Sequence, residues 1–148
     1  MTIRCEIVSQ DRIVFEGDVD MVLLPGVDGE MGILPHHAPV LSTLKFGFLR
    51  VRTGDVEEVF AVAGGVVEVQ PDIVTVLADA AENVEEIDID RAAAARERAV
   101  QFLEEGPPAD GDQFMVMQAA LRRSNLRLDA VKRFRKMDRM RQPSQKTS

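Results

Sequence analysis

Residues 25–39 constrain this chain more than any other stretch: Pro-Gly-Val-Asp-Gly-Glu-Met-Gly-Ile-Leu-Pro-His-His-Ala-Pro. Gly26, Gly29 and Gly32 recur at every third residue, and Pro25, Pro35 and Pro39 punctuate the same segment. Glycine accepts positive φ without a Cβ penalty, whereas proline fixes φ and removes a backbone donor. The segment must bend tightly, give a short apolar strand at residues 31–34, and bend again. Its flanks, 19–24 and 40–44, are strand-like, so it reads as a corner of a compact β domain. Gly-x-x-Gly-x-x-Gly is not a phosphate loop, because no Gly-Lys-Ser/Thr follows and no helix opens after it. His36 and His37 read as turn residues, since no Cys, His or carboxylate stands nearby at a metal-ligand spacing.

Before and after this corner the apolar residues alternate. Ile3, Cys5 and Ile7, then Val19, Met21 and Leu23, show the period of two that marks half-buried strands. Glu16-Gly17-Asp18 reads as a turn. Leu49 and Val51 alternate with Arg50 and Arg52; Thr53-Gly54-Asp55 then turns the chain into residues 56–62 as a hairpin. Gly64-Gly65 permits a bulge or a close backbone approach, and Gln70-Pro71-Asp72 turns a second hairpin into residues 73–77. Many short strands at roughly 8–12-residue spacing predict a sandwich or flattened barrel over residues 1–84. Nothing in it looks catalytic: Ser42 and Thr43 have no histidine base at a recognisable spacing, and the carboxylates sit in turns. The lone Cys5 excludes an internal disulfide and fits a reducing compartment, with burial as its expected state.

Near Asn83 the pattern turns helical. Asp88 is an N-cap candidate, and Asp88 and Asp90 suit the positive end of a helix dipole. Ala92, Ala95, Ala99 and Phe102 form a helical stripe whose small residues let a second helix approach closely. Gly106-Pro107-Pro108 ends the first helix; the second is expected over about residues 112–140, with Phe114, Met117, Leu121, Leu128 and Val131 on one side. That stripe fails where Arg133, Arg135 and Lys136 crowd in, so this end is expected to lie unpacked. The fold class is therefore an all-β sandwich followed by an antiparallel α-helical hairpin. Its expected domains are 1–84, 85–142 and a flexible tail at 143–148. No apolar run approaches the roughly 20 residues of a membrane helix. The opening runs straight into strand pattern, with no signal or transit segment expected.

Charge is unevenly spread. Residues 1–121 hold 8 Lys/Arg against 23 Asp/Glu, whereas residues 122–148 hold 10 basic groups and 2 acidic ones. A basic end on an acidic chain calls for a partner. Nucleic acid fits poorly, because the chain has no Trp or Tyr for base stacking and a net charge of −7. Arg91 and Arg98 share one face of the first helix, and Arg123 and Arg127 one face of the second. Folded back antiparallel, the four guanidinium groups would converge on a site suited to phosphate oxygens. A solvated charged face with i,i+4 pairs is the plainer alternative.

Gly29-Glu30-Met31-Gly32-Ile33-Leu34-Pro35, then His37-Ala38-Pro39, resembles the GEIGILPGHAP signature of the epsilon subunits of bacterial F-type ATP synthases. His36 stands where that family often has glycine. The resemblance continues through Val62-Ala63-Gly64-Gly65-Val66-Val67-Glu68-Val69 and Val74-Thr75-Val76-Leu77-Ala78-Asp79. It implies a non-catalytic rotor subunit that couples gamma to the c ring for proton-driven ATP synthesis, on the cytoplasmic face of the bacterial plasma membrane. Its helices would extend toward the alpha and beta subunits and inhibit ATP hydrolysis. Partner contacts are implied at Gly29, Glu30, Gly32, Leu34, Pro35, His37, Ala38 and Pro39, and along the basic helix at Arg122, Lys132, Arg133, Arg135 and Lys136.

No cofactor is required under this resemblance, but a regulatory ATP is implied by Ile-Asp-x-x-Arg-Ala. Here that motif is Ile87-Asp88-Ile89-Asp90-Arg91-Ala92, joined by Arg98, Arg123 and Arg127. The family usually has Asn directly before the last of these arginines; this chain has Leu126 there and Asn125 one place earlier. The alternative from another class is a stand-alone β-sandwich binding module whose basic helix contacts an acidic protein or nucleic acid.

Overall fold

Alternating apolar residues become strands throughout the first half of the chain. The computed structural model describes residues 1–106 and 111–135, in two compact units, Met1–Asn83 and the part from Val84 onward. The first unit contains β1 (Ile3–Ser9), β2 (Arg12–Val19), β3 (Met21–Gly26), β4 (Gly29–Ile33), β5 (Val40–Thr53), β6 (Val56–Val69), β7 (Ile73–Ala78) and β8 (Ala81–Asn83). Their order is β2-β1-β7-β6-β5-β3-β4, with β8 also paired to β6. All pairs are antiparallel except β1 with β7. The sheet folds over itself into a sandwich around Ile3, Ile7, Leu24, Leu49, Phe60 and Val62, each of them nearly inaccessible to solvent. Each such side chain contributes about 1.5–3 kcal/mol by leaving water. Phe15 of β2 meets Phe60 of β6 edge to face across the layers, with centroids 5.7 Å apart.

Two expectations need correction. Glu16-Gly17-Asp18 is not a turn but the continuous end of β2, where Gly17 pairs with Cys5; the chain bends at Asp20 instead and passes on to β3, which pairs with other strands. A Cβ at Gly17 would lie 3.5 Å from Cζ of Phe15, in ordinary contact with the ring, so the strand tolerates glycine here without requiring it. The strands around residues 40–69 are also fewer and longer than expected. β5 and β6 pair without a register shift from Val40↔Val69 to Thr53↔Val56, and Gly64 and Gly65, at φ 83° and 134°, let β6 turn from one layer into the other without ending.

In the second unit a 3-10 turn (Val84–Glu86) leads to α1 (Ile89–Glu104), then α2 (Gly111–Ala130) and a π-helical turn (Val131–Arg135). The Asp88 side chain caps α1 by accepting from the Arg91 amide at 3.0 Å. The helices are antiparallel: Arg135 at the end of the π turn reaches the Ile87 carbonyl, and Arg96 in α1 reaches Asn125 in α2. That register sets Ala92 level with Ala130 and Ala99 level with Ser124, all of them buried. Small residues there bring the two backbones close. The larger apolar side chains Phe102, Phe114, Met117, Leu121, Leu128 and Val131 are only half-buried. The expected continuation to residue 140, and the tail at 143–148, lie outside the described residues.

Candidate functional site

The corner is built from two tight turns. Gly26 pairs with Gly29, so Val27-Asp28 is a two-residue hairpin loop between β3 and β4. Past β4, the His37 amide donates to the Leu34 carbonyl at 3.2 Å, with Pro35 second and His36 third in the turn. His36 has φ 66°, the only described non-glycine residue with positive φ. Proline second and positive φ third is the pattern of a type II turn, which is why glycine suits this place in the resembling family. Histidine there costs about 1 kcal/mol. The His36 amide also donates to the Pro71 carbonyl at 2.8 Å, tying the corner to the β6–β7 turn.

Of the expected corner contacts, Leu34 is 55% exposed, Ala38 and Pro39 are exposed, and Pro35 and His37 are half-buried. The Glu30 carboxylate is held by Arg50, whose Nη2 lies 3.3 Å from both oxygens. Arg50 and Arg52 in turn reach Glu57 at 4.0 and 2.7 Å. Gly32 leaves room for the Met21 side chain, whose Cε would lie 3.0 Å from a Cβ at that position.

A second surface was not anticipated from the sequence. The strand registers align Ile13, Val8, Leu77, Val66 and Thr43 in one row across β2, β1, β7, β6 and β5. Ile13, Leu77 and Val66 are 60%, 52% and 41% exposed. A groove of about 330 Å³ beside them is lined in part by Ser9, Gln10 and Gly65. The signal was present in the sequence: Ile7-Val8, Ile13-Val14, Val66-Val67 and Val76-Leu77 are adjacent apolar pairs, where a half-buried strand has one apolar face. An outward apolar row of this kind marks a docking surface.

On the hairpin, the antiparallel register places Arg98 level with Arg123. Arg91 lies about two helical turns along α1 from Arg98, and Arg127 about one turn along α2 from Arg123. Arg91, Arg98 and Arg123 are exposed and Arg127 is half-buried. Ile87 and Ala92 are buried. Asn125 reaches across the hairpin instead: its Oδ1 accepts from Arg96 Nε at 2.8 Å. One residue of displacement turns a side chain by about 100° around a helix, which is how Asn125 comes to face α1. Arg122, Lys132 and Arg133 are exposed, and Lys136 lies outside the described residues.

Arg135 corrects the expectation of an unpacked basic end. Its side chain is only 19% exposed; Nη2 donates to the Ile87 carbonyl at 2.8 Å, and Nε lies 3.9 Å from a Glu85 oxygen. A charge run reads as solvated in sequence, but a guanidinium can reach a backbone carbonyl far away in the chain.

Burial pushes the Cys5 thiol up to about 12, which removes it as a nucleophile. Among the described residues, no group of three or more His, Cys, Asp or Glu side chains could hold a metal ion. No described helix is long and apolar enough to cross a membrane.

Residues 2–84 match the β-sandwich domain of the ATP synthase delta/epsilon chain, and residues 85–132 match its long α-helix domain. The chain is 44% identical over 132 residues to the ATP synthase epsilon chain of Halalkalibacterium halodurans, covering 89% of this chain and 98% of that one. It is 48% identical over 131 residues to the epsilon chain of Syntrophobacter fumaroxidans, covering 88% and 96%. Its fold is similar to a chain in the cryo-EM structure of the Euglena gracilis mitochondrial ATP synthase, with TM-score 0.63 at 22% identity over 92% of this chain and 81% of that one. By both its sandwich and its helical hairpin, the chain belongs to the ATP synthase delta/epsilon chain family, as a non-catalytic subunit of the epsilon type.

Proposed function

We propose that the chain is a central-stalk subunit on the cytoplasmic face of a bacterial plasma membrane, coupling gamma to the c ring of a proton-driven ATP synthase. The sandwich, over residues 1–84, would dock and the hairpin, from residue 85, would regulate. The observation that carries the docking half is the outward apolar row Ile13–Val8–Leu77–Val66, which a lone sandwich has no reason to expose and a gamma surface would cover. The corner would meet the ring through Leu34, Ala38 and Pro39, with Glu30 already held by Arg50.

The hairpin supports the regulatory half because it is weakly held. Its fully buried helix positions are small residues, Ala92, Ala99, Ser124 and Ala130, and its larger apolar side chains are already half-exposed, so opening it gives up less burial than opening a core of large side chains would. Extended toward the alpha and beta subunits, its basic face would block rotation in the hydrolysis direction. In a reconstituted catalytic complex, ATP hydrolysis should be faster with a chain ending at Asn83 than with the full chain. The core residues all belong to the sandwich unit, so this truncation keeps its packing. Equal rates, with both forms bound to gamma, would remove the brake and leave the coupling role alone.

A regulatory ATP on Arg91, Arg98, Arg123 and Arg127 is the finer part of the reading, supported by the antiparallel register of their helices. ATP would stabilise the folded hairpin by no more than its differential affinity for the two states. Calorimetry should detect ATP binding to the full chain and lose it on combining Arg91→Ala with Arg127→Ala; unchanged heats would take these residues out of the site.

A further inference from the structure

We infer that Arg135 is a clasp that holds the hairpin closed, and that the end of α2 cannot leave without undoing it. This rests on the reading of the hairpin as an extendable brake and names the contact that sets its resting state.

Three observations converge. First, the Arg135 side chain crosses from the end of the helical hairpin to its beginning, a sequence separation of 48, and donates from Nη2 to the Ile87 carbonyl at 2.8 Å. That carbonyl immediately precedes Asp88, whose carboxylate caps α1 through the Arg91 amide. The clasp therefore grips the entry to α1, and any shift of residues 87–91 reaches it directly. Second, Arg135 arrives there through a π-helical turn, Val131–Arg135. A π turn packs an extra residue into one turn, is rare, and is retained where it aims a side chain at a functional contact. With the clasp undone, the turn loses the contact that its last residue makes with the start of α1.

Third, the seat is incompletely satisfied. Arg135 Nε is buried and makes no hydrogen bond, while the carboxylate of Glu85 stands 3.9 Å away, within ion-pair reach only. A buried guanidinium donor without an acceptor opposes the clasp even as Nη2 favours it. Such a contact closes the hairpin without locking it. The same cation thus serves the folded state.

The test compares the full chain with Arg135→Ala and Arg135→Lys. In the isolated chain, amide exchange over residues 124–135 should quicken roughly tenfold with alanine, the scale of one charge-assisted hydrogen bond, and recover in part with lysine. In the reconstituted catalytic complex, Arg135→Ala should inhibit ATP hydrolysis more strongly than the unmodified chain, because it favours extension. Unchanged exchange overturns the clasp. Weaker inhibition also overturns it, and would make Arg135 a contact of the extended form instead. If the unmodified chain does not inhibit at all, the brake reading fails, while the exchange rates still decide whether the clasp exists.

Discussion

Replacing Gly65 by alanine is expected to lower the stability of the sandwich by at least about 3 kcal/mol. Two costs add. Gly65 has φ 134°, a backbone conformation in which a side chain is strained whatever the space around it. A Cβ there would also run into the Leu77 carbonyl oxygen and lie 2.8 Å from Cα of Ala78. Those are backbone atoms of the paired strand β7, so no rotamer change can make room. Either β6 and β7 separate at the Gly65↔Ala78 pair or β6 bends elsewhere, and both disturb the corner between the layers. Gly54→Ala is the matched control: φ is 60° there but nothing lies within 4 Å of a Cβ, so about 1 kcal/mol is expected. Urea denaturation followed by circular dichroism separates the two; similar midpoints would mean that β6 accommodates the methyl group.

Phe60→Ala should cost about 3–5 kcal/mol, the range for deleting a buried aromatic ring. Phe60 is 1% exposed, on the strand common to both layers, and its ring meets Phe15 at an interplanar angle of 64°. Removing it takes away the cross-layer contact and leaves a cavity at the centre of the unit. Phe60→Leu should recover more than half of the loss by refilling most of that volume. The chain has no Trp or Tyr, so amide exchange across β6 is a better probe than fluorescence, and it reads this unit separately from the helices. A loss below about 1 kcal/mol would show that neighbouring valines collapse into the space.

Much of the sandwich was legible because burial on one face writes itself as alternation. Leu49 and Val51 inside, with Arg50 and Arg52 facing outward, follow from that pattern alone. Asp88 was legible as a cap because the chemistry of a helix start is local. Gly17 misled because glycine permits a bend but does not impose one, and here it sits in the ladder opposite Cys5. Only the pairing of β1 with β2 tells whether the chain bends there. The lengths of β5 and β6 were hidden for a related reason, since Gly64-Gly65, which allows a bulge or a close approach, is a bend inside one strand. For the site, the corner was legible through its resemblance, and the turn at His36 supplies the physical reason for the family's glycine there. The outward row left a local trace in its adjacent apolar pairs, but which of them line up, and the grip of Arg135 on Ile87, depend on which residues become neighbours after folding. No local pattern carries that information.

The parallel pairing of β1 with β7 has a consequence for how the chain is made. Every other described strand pair in the order is antiparallel, but Arg4 must wait for Ile73, and Val8 for Leu77. While the chain leaves the ribosome, β1 and β2 can form a hairpin early, yet one edge of β1 stays open until nearly the whole sandwich has emerged. Open edges invite pairing with other chains, and charge discourages it. Arg4 lies 3.6 Å from Glu6 and 3.0 Å from Glu16, an exposed charged cluster on that early hairpin. These ion pairs add little to the finished fold. Their charge instead makes the early hairpin, with its edge still open, a poorer template for pairing with a second chain.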